Sequence, residues 1–136
     1  MRLLLIDDEL DCINVMRTVL RPAGHECDLF GDPVEALESF RKEHHDVVVT
    51  DYRMPEMDGI EVLKEIREIN PETPVVILTG YADVENAIGA VNHGAYAFFR
   101  KPLDFNEFIG TLSKIENERK EREEQKVYFD KLAREY

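Results

Sequence analysis

The sequence predicts a doubly wound α/β fold built on a parallel β-sheet. Short apolar runs alternate strictly with longer amphipathic stretches, which is the pattern of parallel strands joined by crossover helices. Three of the runs are β-branched or leucine-rich with almost no polar interruption, as expected of strands buried on both faces. The length of 136 residues suits one domain and is too short for two ordinary ones.

The apolar runs are the predicted strands, and each is followed by the start of an amphipathic stretch. They are Leu3–Ile6, Cys27–Phe30, Val47–Val49, Val75–Leu78 and Ala95–Phe99. In a parallel sheet all strands point the same way, so the residues that follow these runs are expected at one edge of the sheet.

The first three amphipathic stretches predict helices with clear boundaries. The first has apolar residues three and four positions apart and stops at Arg21-Pro22-Ala23-Gly24. The second begins at Asp32-Pro33, where an N-cap residue precedes a proline at the first helical position. The third follows Asp58-Gly59 and ends at Asn70-Pro71.

The last two predicted helices differ in length. The fourth starts near Asp83 and closes on Asn92-His93-Gly94. The fifth starts at Asp104, and only Gly110 interrupts its helical pattern before the end of the chain. A helix of that length would span roughly 50 Å at a rise of about 1.5 Å per residue. A domain of this size needs only about the first third of it.

The negative charge belongs to the body of the chain. Lys and Arg total 17 against 29 Asp and Glu, which gives a formal net charge of −12. The segment Lys114–Tyr136 holds equal numbers of acidic and basic side chains and is neutral. This balance argues against a nucleic-acid or anionic-membrane partner, because phosphate binding needs a basic face. No apolar stretch is long enough for a signal peptide or a membrane span, so we expect a soluble, cytoplasmic protein.

Polar side chains follow four of the five predicted strands. They are Asp7-Asp8-Glu9, Asp51, Thr79-Gly80 and Arg100-Lys101-Pro102. Functional residues of open parallel sheets collect just past the carboxyl ends of the strands. Each of these residues alone has an ordinary interpretation, such as an acidic first turn of a helix. Their occurrence together predicts a site with carboxylates, a hydroxyl and an amine.

The predicted site suits phosphoryl chemistry. Two carboxylates about 4 Å apart repel each other by roughly 4 kcal/mol at an effective dielectric near 20, so a cation should relieve the repulsion. Hard oxygen ligands suit Mg²⁺, and Lys101 supplies a second positive charge. A carboxylate between two cations can attack a phosphoryl group and form an acyl phosphate. The Thr79 hydroxyl can donate a hydrogen bond to that group.

The sequence resembles the receiver domain of two-component response regulators over residues 2 to about 113. The matching segments are Leu4-Leu5-Ile6-Asp7-Asp8-Glu9, Val48-Val49-Thr50-Asp51-Tyr52-Arg53-Met54-Pro55, Met57-Asp58-Gly59, Ile77-Leu78-Thr79-Gly80-Tyr81-Ala82, Gly94-Ala95 and Lys101-Pro102. The resemblance implies a (βα)5 fold with sheet order 2-1-3-4-5, helices on both faces and an extended C-terminal helix. It implies a receiver domain over residues 1–113 and a helical extension or linker over 114–136, which we expect to lead to an output domain.

The resemblance also implies a role for each site residue. Asp51 would be the phosphoacceptor, and Asp8, Asp51 and the backbone carbonyl of Arg53 would ligate Mg²⁺, with Mn²⁺ as the alternative ion. Asp7 would act on the metal through water. Lys101 would contact the phosphoryl group and would precede Pro102 through a cis peptide bond, an isomer that proline permits.

Further positions are implied to act in switching and in the lifetime of the phosphoryl group. Thr79 and Phe98 would move inward after phosphorylation, and Phe98 lacks the hydroxyl that a tyrosine would bring. This shift would change the surface of the fourth helix, fifth strand and fifth helix. Arg53 and Tyr81 occupy the two lifetime-tuning positions, and their large side chains predict slow self-dephosphorylation.

The implied function is that of a signalling receiver and not of an enzyme. Its partners would be a histidine kinase or phosphotransfer protein and an output domain or effector. A homodimer would form through the fourth helix, fifth strand and fifth helix, or through the C-terminal helix. One alternative is a receiver-like adaptor that acts through this helix without phosphorylation. Another is a Mg²⁺-dependent aspartyl phosphohydrolase, although Asp7 and Asp8 are adjacent where that class wants Asp-x-Asp. A flavodoxin-like cofactor site is disfavoured because Asp7-Asp8-Glu9 would repel a phosphate.

Two segments fall outside the resemblance or its motifs. Residues spaced four and three positions apart along the long helix form a seam on one of its faces: Phe108, Leu112, Ile115, Arg119, Arg122, Lys126, Phe129, Ala133 and Tyr136. The middle positions of this seam, Arg119, Arg122 and Lys126, are basic, whereas a sustained coiled coil prefers apolar residues there. Val127-Tyr128-Phe129 then follows this charged stretch and indicates a partner surface. His44-His45 lies between the second helix and third strand, and we expect a solvated loop there.

Overall fold

The computed structural model describes residues 1–80 and 84–135, in which strands and helices alternate along the chain. The strands are β1 (Arg2–Ile6), β2 (Glu26–Phe30), β3 (Val47–Asp51), β4 (Val75–Thr79) and β5 (Ala97–Arg100). The helices are α1 (Leu10–Leu20), α2 (Pro33–Lys42), α3 (Gly59–Ile69), α4 (Val84–Asn92) and α5 (Phe105–Glu135). The chain divides into two compact units, residues 1–104 and 105–136.

The five strands form one parallel sheet in the order β2-β1-β3-β4-β5. This confirms the predicted fold class and the sheet order that the resemblance implies. β3 and β4 are buried throughout and β1 is buried after its first residue, whereas the edge strands β2 and β5 are partly exposed. The three central strands contain the leucine-rich or β-branched runs, because apolar side chains suit a strand covered on both faces.

The main core cluster lies on one face of the sheet. It joins Leu4 and Ile6 of β1 to buried side chains of α2 and α3. Leu3 and Leu5 are just as buried and point to the opposite face, because successive strand side chains alternate. The sheet therefore has a buried layer on each face, as a doubly wound fold requires.

Local sequence signals account for the helix boundaries. The Asp32 side chain accepts a hydrogen bond from the Val34 N–H at 2.9 Å and Pro33 opens α2. Asp58 and Glu61 form a reciprocal capping box at the start of α3, as side chains of these types do when three positions apart. α1 ends in a 3-10 turn over Arg21–Ala23, followed by Gly24 at a φ of 89°.

The strand boundaries differ from the sequence prediction at both ends. β1, β2, β3 and β4 each extend into polar residues, because backbone pairing continues past the last apolar side chain. β5 starts at Ala97 and not at Ala95, since Gly94 turns the chain at a φ of 95° and pairing with β4 begins opposite Val76. The predicted start of the fourth helix at Asp83 lies outside the described residues.

The unit formed by residues 105–136 is a single helix of 31 described residues, which confirms the predicted long helix. Its buried side chains are Phe108, Leu112 and Ile115. Val127, Tyr128 and Phe129 are each at least 60% exposed, so the apolar triplet noted in the sequence faces solvent. None of the helices in residues 1–80 and 84–135 is long and apolar enough to cross a membrane.

Candidate functional site

Three carboxylates meet at the carboxyl edge of the sheet. Asp7 follows β1, Asp51 is the last residue of β3, and Asp8 lies beside Asp7 in the chain. Each offers a carboxylate oxygen, and these oxygens all lie within 4.8 Å of one another. Residues 44 positions apart in the chain come together here because β1 and β3 are neighbours in the sheet. The sequence prediction of an acidic cluster at this edge therefore matches the geometry.

Lys101 reaches this cluster from the end of β5. Its Nζ lies 3.0 Å from Oδ2 of Asp7 and 3.3 Å from Oδ2 of Asp51. The Lys101 backbone N–H donates to the Thr79 carbonyl at 2.8 Å, which fixes the start of this segment against β4. The peptide bond from Lys101 to Pro102 is cis, as the resemblance implies. The ammonium group thus bridges two carboxylates that would otherwise repel each other.

The carboxylates differ in their surroundings. Asp7 is fully buried, and its two oxygens accept hydrogen bonds from the Glu9 N–H at 2.9 Å and from Lys101. Asp51 is only 7% exposed, and its Oδ1 accepts from the Tyr52 N–H at 3.0 Å. Asp8 is exposed. Asp7 is therefore held in place by the protein, while Asp51 and Asp8 face the space above the sheet edge.

A pocket of about 470 Å³ opens over Asp51. It is lined by Asp8, Glu9, Asp51, Arg53, Met54, Pro55, Gly80 and Lys101. These residues come from the ends of β1, β3, β4 and β5 and from the segment that follows β3. A pocket of this size has room for a phosphoryl group and a hydrated ion.

Burial and charge change the proton affinities in this site. Burial and the nearby negative charge of Asp7 raise the pKa of Asp51 to about 6, although Lys101 opposes this shift. Burial alone would lower the pKa of Lys101, but its contacts with Asp7 and Asp51 outweigh burial and raise that pKa. Lys101 is therefore charged at neutral pH, and Asp51 is mostly ionised there.

Thr79 and Phe98, the two implied switch residues, lie on the neighbouring strands β4 and β5. Thr79 is fully buried and its hydroxyl donates to the Gly80 carbonyl at 3.1 Å. Phe98 is partly buried and packs against the core cluster that includes Ile77, its partner in the sheet register. One side of the Phe98 ring thus packs against the core, and another part of the ring is exposed.

The two implied lifetime-tuning positions are only partly visible. Arg53 is exposed and lines the pocket over Asp51, so its side chain stands where it can obstruct water. Tyr81 lies outside the described residues. The predicted role of the Arg53 backbone carbonyl as a metal ligand remains a prediction.

The donor set fits a small dication. Three carboxylate oxygens within 4.8 Å of one another are the hard oxygen ligands that Mg²⁺ and Mn²⁺ prefer. Asp8 is exposed and Asp51 lines the pocket, so each has room to bind an ion, whereas both Asp7 oxygens already accept hydrogen bonds from the protein. The action of Asp7 on the metal through water stays a prediction.

The structure adds Gly59 to the residues that shape the site. A Cβ at Gly59 would lie 2.8 Å from the Asp51 carbonyl oxygen and 3.0 Å from Tyr52 Cα. The Gly59 N–H donates to the Tyr52 carbonyl at 2.7 Å. The amino end of α3 therefore presses directly on the backbone beneath the phosphoacceptor candidate. The sequence signal for this contact was the Asp58-Gly59 pair, which by itself indicates only the start of a helix.

The expectation of a solvated loop at His44-His45 is correct for the exposed His44 and wrong for His45. His45 is buried and not in a solvated loop, and its Nε2 lies 2.7 Å from Oδ2 of Asp28. The same carboxylate accepts from Nε of Arg2 at 2.9 Å, and the imidazole stacks on Phe40. This contact gives the buried ring one polar partner, whereas its Nδ1 is buried without a hydrogen-bond partner among the described residues. These contacts lie at the amino-terminal edge of the sheet, opposite the acidic pocket.

A doubly wound five-stranded sheet with an acidic cluster and a lysine at its carboxyl edge defines a receiver-type signalling domain. The sequence matches the family model of the response regulator receiver domain over residues 3–113. The chain therefore belongs to the response regulator receiver domain family, which acts in two-component signalling.

Known proteins with similar sequences are transcriptional regulators. ZraR of Klebsiella oxytoca, a transcriptional regulatory protein, is 41% identical over 111 residues, which cover 82% of this chain and 25% of that protein. The regulatory protein AtoC of Escherichia coli (strain K12) is 42% identical over 106 residues, covering 78% of this chain and 23% of that protein. The chain thus spans about a quarter of the length of the curated relatives it matches.

A solved structure shows the same fold. A response regulator receiver domain protein from Clostridium thermocellum superimposes with a TM-score of 0.84 at 34% sequence identity. The match covers 88% of this chain and 96% of that chain. The receiver architecture therefore extends over nearly the whole of that protein and most of this one.

Proposed function

We propose that this chain is the phosphorylatable receiver of a two-component system, with Asp51 as the phosphoacceptor. The observation that carries this proposal is the contact of Lys101 Nζ with both Asp51 and Asp7, at 3.3 Å and 3.0 Å. The fully buried Asp7 holds the Lys101 ammonium group in place. Asp51 lines the pocket and is therefore free to react.

In the proposed step, an Asp51 carboxylate oxygen attacks the phosphorus of a phosphohistidine on a partner kinase or phosphotransfer protein. The new O–P bond forms as the P–N bond breaks, and the leaving imidazole nitrogen keeps the electron pair of that bond and takes up a proton. Asp51 must be ionised to attack, which its pKa of about 6 permits at neutral pH. Lys101 then faces the negative charge that accumulates on the phosphoryl oxygens.

Asp8 and Asp51, with the backbone carbonyl of Arg53, would hold Mg²⁺ or Mn²⁺. When bound, the ion would neutralise charge on the carboxylates and on the incoming phosphoryl oxygens. Asp7, fully buried and hydrogen-bonded on both oxygens, orients Lys101 and any water bound near Asp8. The chain's own contribution is therefore a preorganised set of charges that needs no rearrangement to receive the phosphoryl group.

The output of phosphorylation is a shift between two arrangements of α4 and β5. The Thr79 hydroxyl, which donates to the Gly80 carbonyl, would turn its hydrogen bond to a phosphoryl oxygen on Asp51. Phe98 would then follow inward into the space that Thr79 leaves. Phosphorylation favours this arrangement because the Thr79 hydroxyl forms a stronger hydrogen bond to a charged phosphoryl oxygen than to the neutral Gly80 carbonyl.

The proposed partners follow from the family and from the relatives. A histidine kinase or a phosphotransfer protein would supply the phosphoryl group, and the signal would pass to an output domain or effector protein. The relatives ZraR and AtoC are regulatory proteins about four times as long as the stretch they share with this chain. In this role the chain works in the cytoplasm and catalyses only its own phosphorylation and dephosphorylation.

A second copy of the chain is the proposed partner of the distal part of α5. Its seam residues Arg119, Arg122 and Lys126 are basic, while Glu116 and Glu123 lie at neighbouring positions that flank the seam in a paired helix. Basic seam residues of one copy can then reach acidic flanking residues of the other. The exposed Phe129 would add apolar contact to this pairing.

The central test is phosphorylation by a small donor. Wild type, Asp51→Asn and the matched control Asp130→Asn, which removes an exposed acid on α5, are incubated with acetyl phosphate and Mg²⁺ and weighed by intact-mass spectrometry. We expect one phosphoryl group on wild type and on Asp130→Asn, and none on Asp51→Asn.

Other outcomes point to the alternatives. Retention of the phosphoryl group by Asp51→Asn would reject Asp51 as the acceptor. Release of many phosphates per chain from small esters would favour the phosphohydrolase. An unmodified wild type, both with acetyl phosphate and with phosphorylated histidine kinases, would favour the adaptor that works without phosphorylation.

A further inference from the structure

Arg67 lies in the last turn of α3 and binds two separate segments of the chain. Its Nη1 donates to the carbonyl of Thr73, and its Nη2 donates to the carbonyl of Gly94 at 2.7 Å. Thr73 is buried and stands two residues before β4, while Gly94 stands three residues before β5. One guanidinium group therefore binds the segments that precede β4 and β5, the strands that carry the implied switch residues Thr79 and Phe98.

The Gly94 segment is the turn that closes α4. The Gly94 N–H donates to the Val91 carbonyl at 3.0 Å, and the backbone takes a φ of 95° that side chains other than glycine rarely adopt. The Tyr96 N–H donates to the Val75 carbonyl at 2.8 Å. A Cβ at Gly94 would lie 3.4 Å from Nε of Arg67, so the guanidinium packs closely over this turn.

The chemistry of Arg67 suits an anchor. In the described residues both of its hydrogen-bond acceptors are neutral backbone carbonyls and no carboxylate pairs with it, while burial lowers its pKa. Hydrogen bonds from a charged donor are stronger than those between neutral groups. The planar guanidinium holds its two donors in a fixed fork, so it fixes the separation of the two carbonyls as well as their positions.

The helix that carries Arg67 is itself fixed at the acidic pocket. α3 begins at Gly59, whose N–H donates to the Tyr52 carbonyl next to Asp51, and its buried residues Val62, Leu63 and Ile66 belong to the core. α3 therefore joins Arg67 to the backbone next to Asp51. At the other end of α4, its first residue is Val84, four positions after Gly80, which lines the pocket.

We propose that Arg67 is a positioning residue that anchors the Gly94 turn, so that α4 pivots about its carboxyl end when Asp51 is phosphorylated. This inference rests on the proposed function and names the fixed point of its switch. The displacement starts at the Thr79 end of β4 and reaches the amino end of α4, because the Gly94 end is held. Without the anchor, the same displacement spreads into the turn and into the start of β5.

The first test needs no phosphorylation. Amide hydrogen exchange is measured by NMR in wild type, Arg67→Gln, Arg67→Lys and the matched control Arg41→Gln, whose guanidinium pairs with Glu65 at the surface. We expect Arg67→Gln to speed exchange at Gly94 and Tyr96 by about tenfold or more, with Leu5 in the central sheet unchanged. Arg67→Lys should give a smaller effect, and Arg41→Gln none. Unchanged exchange at Gly94 and Tyr96 in Arg67→Gln would overturn the anchor.

The second test separates an anchor of the switch from a merely structural contact. Exchange is compared with and without acetyl phosphate and Mg²⁺, and intact mass on the same samples reports whether Asp51 is modified. In wild type we expect phosphorylation to change exchange at Glu85 and Ile88 of α4 but not at Gly94. In Arg67→Gln, exchange at Gly94 should become sensitive to phosphorylation.

The opposing results are distinct. A change at Gly94 in phosphorylated wild type as large as that at Glu85 would reject the pivot. An Arg67→Gln protein whose Gly94 exchange rises equally in both states would reduce Arg67 to a structural contact and also reject it. If wild type gains no phosphoryl group, the result speaks against the proposed function. The first test, which needs no phosphorylation, then decides by itself whether Arg67 anchors the Gly94 turn.

Discussion

At the scale of single residues, Asp51 has the proton affinity that links this site to the stability of the fold. Its carboxyl group has an ordinary pKa of 3.8, and burial next to Asp7 raises that pKa to about 6 in the folded protein. Between these two values the folded state holds a proton that the unfolded state has released. The contribution of Asp51 to the free energy of unfolding therefore falls as pH rises from about 4 to about 6.

Replacing Asp51 by asparagine should remove this contribution. Without divalent ions, we expect Asp51→Asn to be more stable than wild type by about 1–3 kcal/mol at pH 7, and nearly equal to it at pH 4. Urea unfolding at several pH values measures the difference. Asp130→Asn, an exposed substitution, should track wild type throughout. A stability difference that does not grow between pH 4 and pH 7 would contradict the raised pKa.

Arg53 and Tyr81 occupy the positions that we predict to tune the lifetime of the phosphoryl group. Large side chains at these positions are expected to obstruct water from the acyl phosphate, and Arg53 lines the pocket where that water would enter. We expect phosphate release from the double variant Arg53→Asn, Tyr81→Ala to be several-fold faster than from wild type. Release is followed by intact mass after the donor is removed. Equal rates would show that these side chains do not shield the bond.

The residues of the acidic pocket could be predicted because charged residues are unusual at the ends of buried apolar strands. Asp7, Asp51 and Lys101 end or follow apolar strands, and parallel strands bring such residues to one edge. The roles of His45 and Arg67 were not predictable. Each depends on partners from distant segments, Asp28 for the imidazole and Gly94 for the guanidinium, and neither pairing leaves a local pattern in the sequence.

At the scale of elements, the start of α3 sets the shape of the backbone beneath Asp51. Gly59 has no side chain, and a Cβ there would lie 2.8 Å from the Asp51 carbonyl oxygen. We expect Gly59→Ala to lower the free energy of unfolding by about 2 kcal/mol and to slow phosphorylation by acetyl phosphate, because the helix must shift away from β3. Urea unfolding and the initial rate of mass gain measure the two effects.

Gly110 is the matched control for this substitution. It also lies in a helix, but a Cβ there would meet no atom within 4 Å among those described. Gly110→Ala should therefore stabilise the protein by up to about 1 kcal/mol, since alanine has the higher helix propensity. If Gly59→Ala changes the free energy of unfolding no more than Gly110→Ala does, α3 can shift away from β3 without loss of stability.

The elements themselves could largely be predicted, whereas their ends could not. Asp32-Pro33 and Asp58-Gly59 marked two helix starts because capping chemistry is local. The start of β5 at Ala97 depends on pairing with Val76 across the sheet, which apolar residues at 95 and 96 do not reveal. Boundaries set by hydrogen bonds to another element need the tertiary structure.

At the scale of the whole molecule, the fold concentrates part of its net charge of −12 at one edge of the sheet. A dication that binds the folded state there, and not the unfolded chain, stabilises it by mass action. We expect Mg²⁺ at about 100 times its dissociation constant to add about 2.7 kcal/mol to the free energy of unfolding. Thermal unfolding at rising Mg²⁺ concentration follows this gain.

Removal of one proposed ligand should abolish the Mg²⁺ effect. Asp8→Asn is expected to unfold at the same temperature with and without Mg²⁺, whereas Asp130→Asn should gain as much as wild type. Since both variants lose one negative charge, general screening by salt would affect them alike. Equal gains in the two variants would therefore locate the ion elsewhere on the surface.

The hydrogen bond between Lys101 and Asp7 joins residues 94 positions apart in the chain. No shorter stretch of sequence assembles the acidic pocket, because the lysine arrives only with the last strand, at the far edge of the sheet from β2. During synthesis, Asp51 emerges about 50 residues before the ammonium group that is to neutralise it. A nascent or partly unfolded chain thus carries the Asp51 carboxylate without the lysine that contacts it in the folded protein. If Asp51 is the acceptor that we propose, the chain can be phosphorylated only after its last strand has folded.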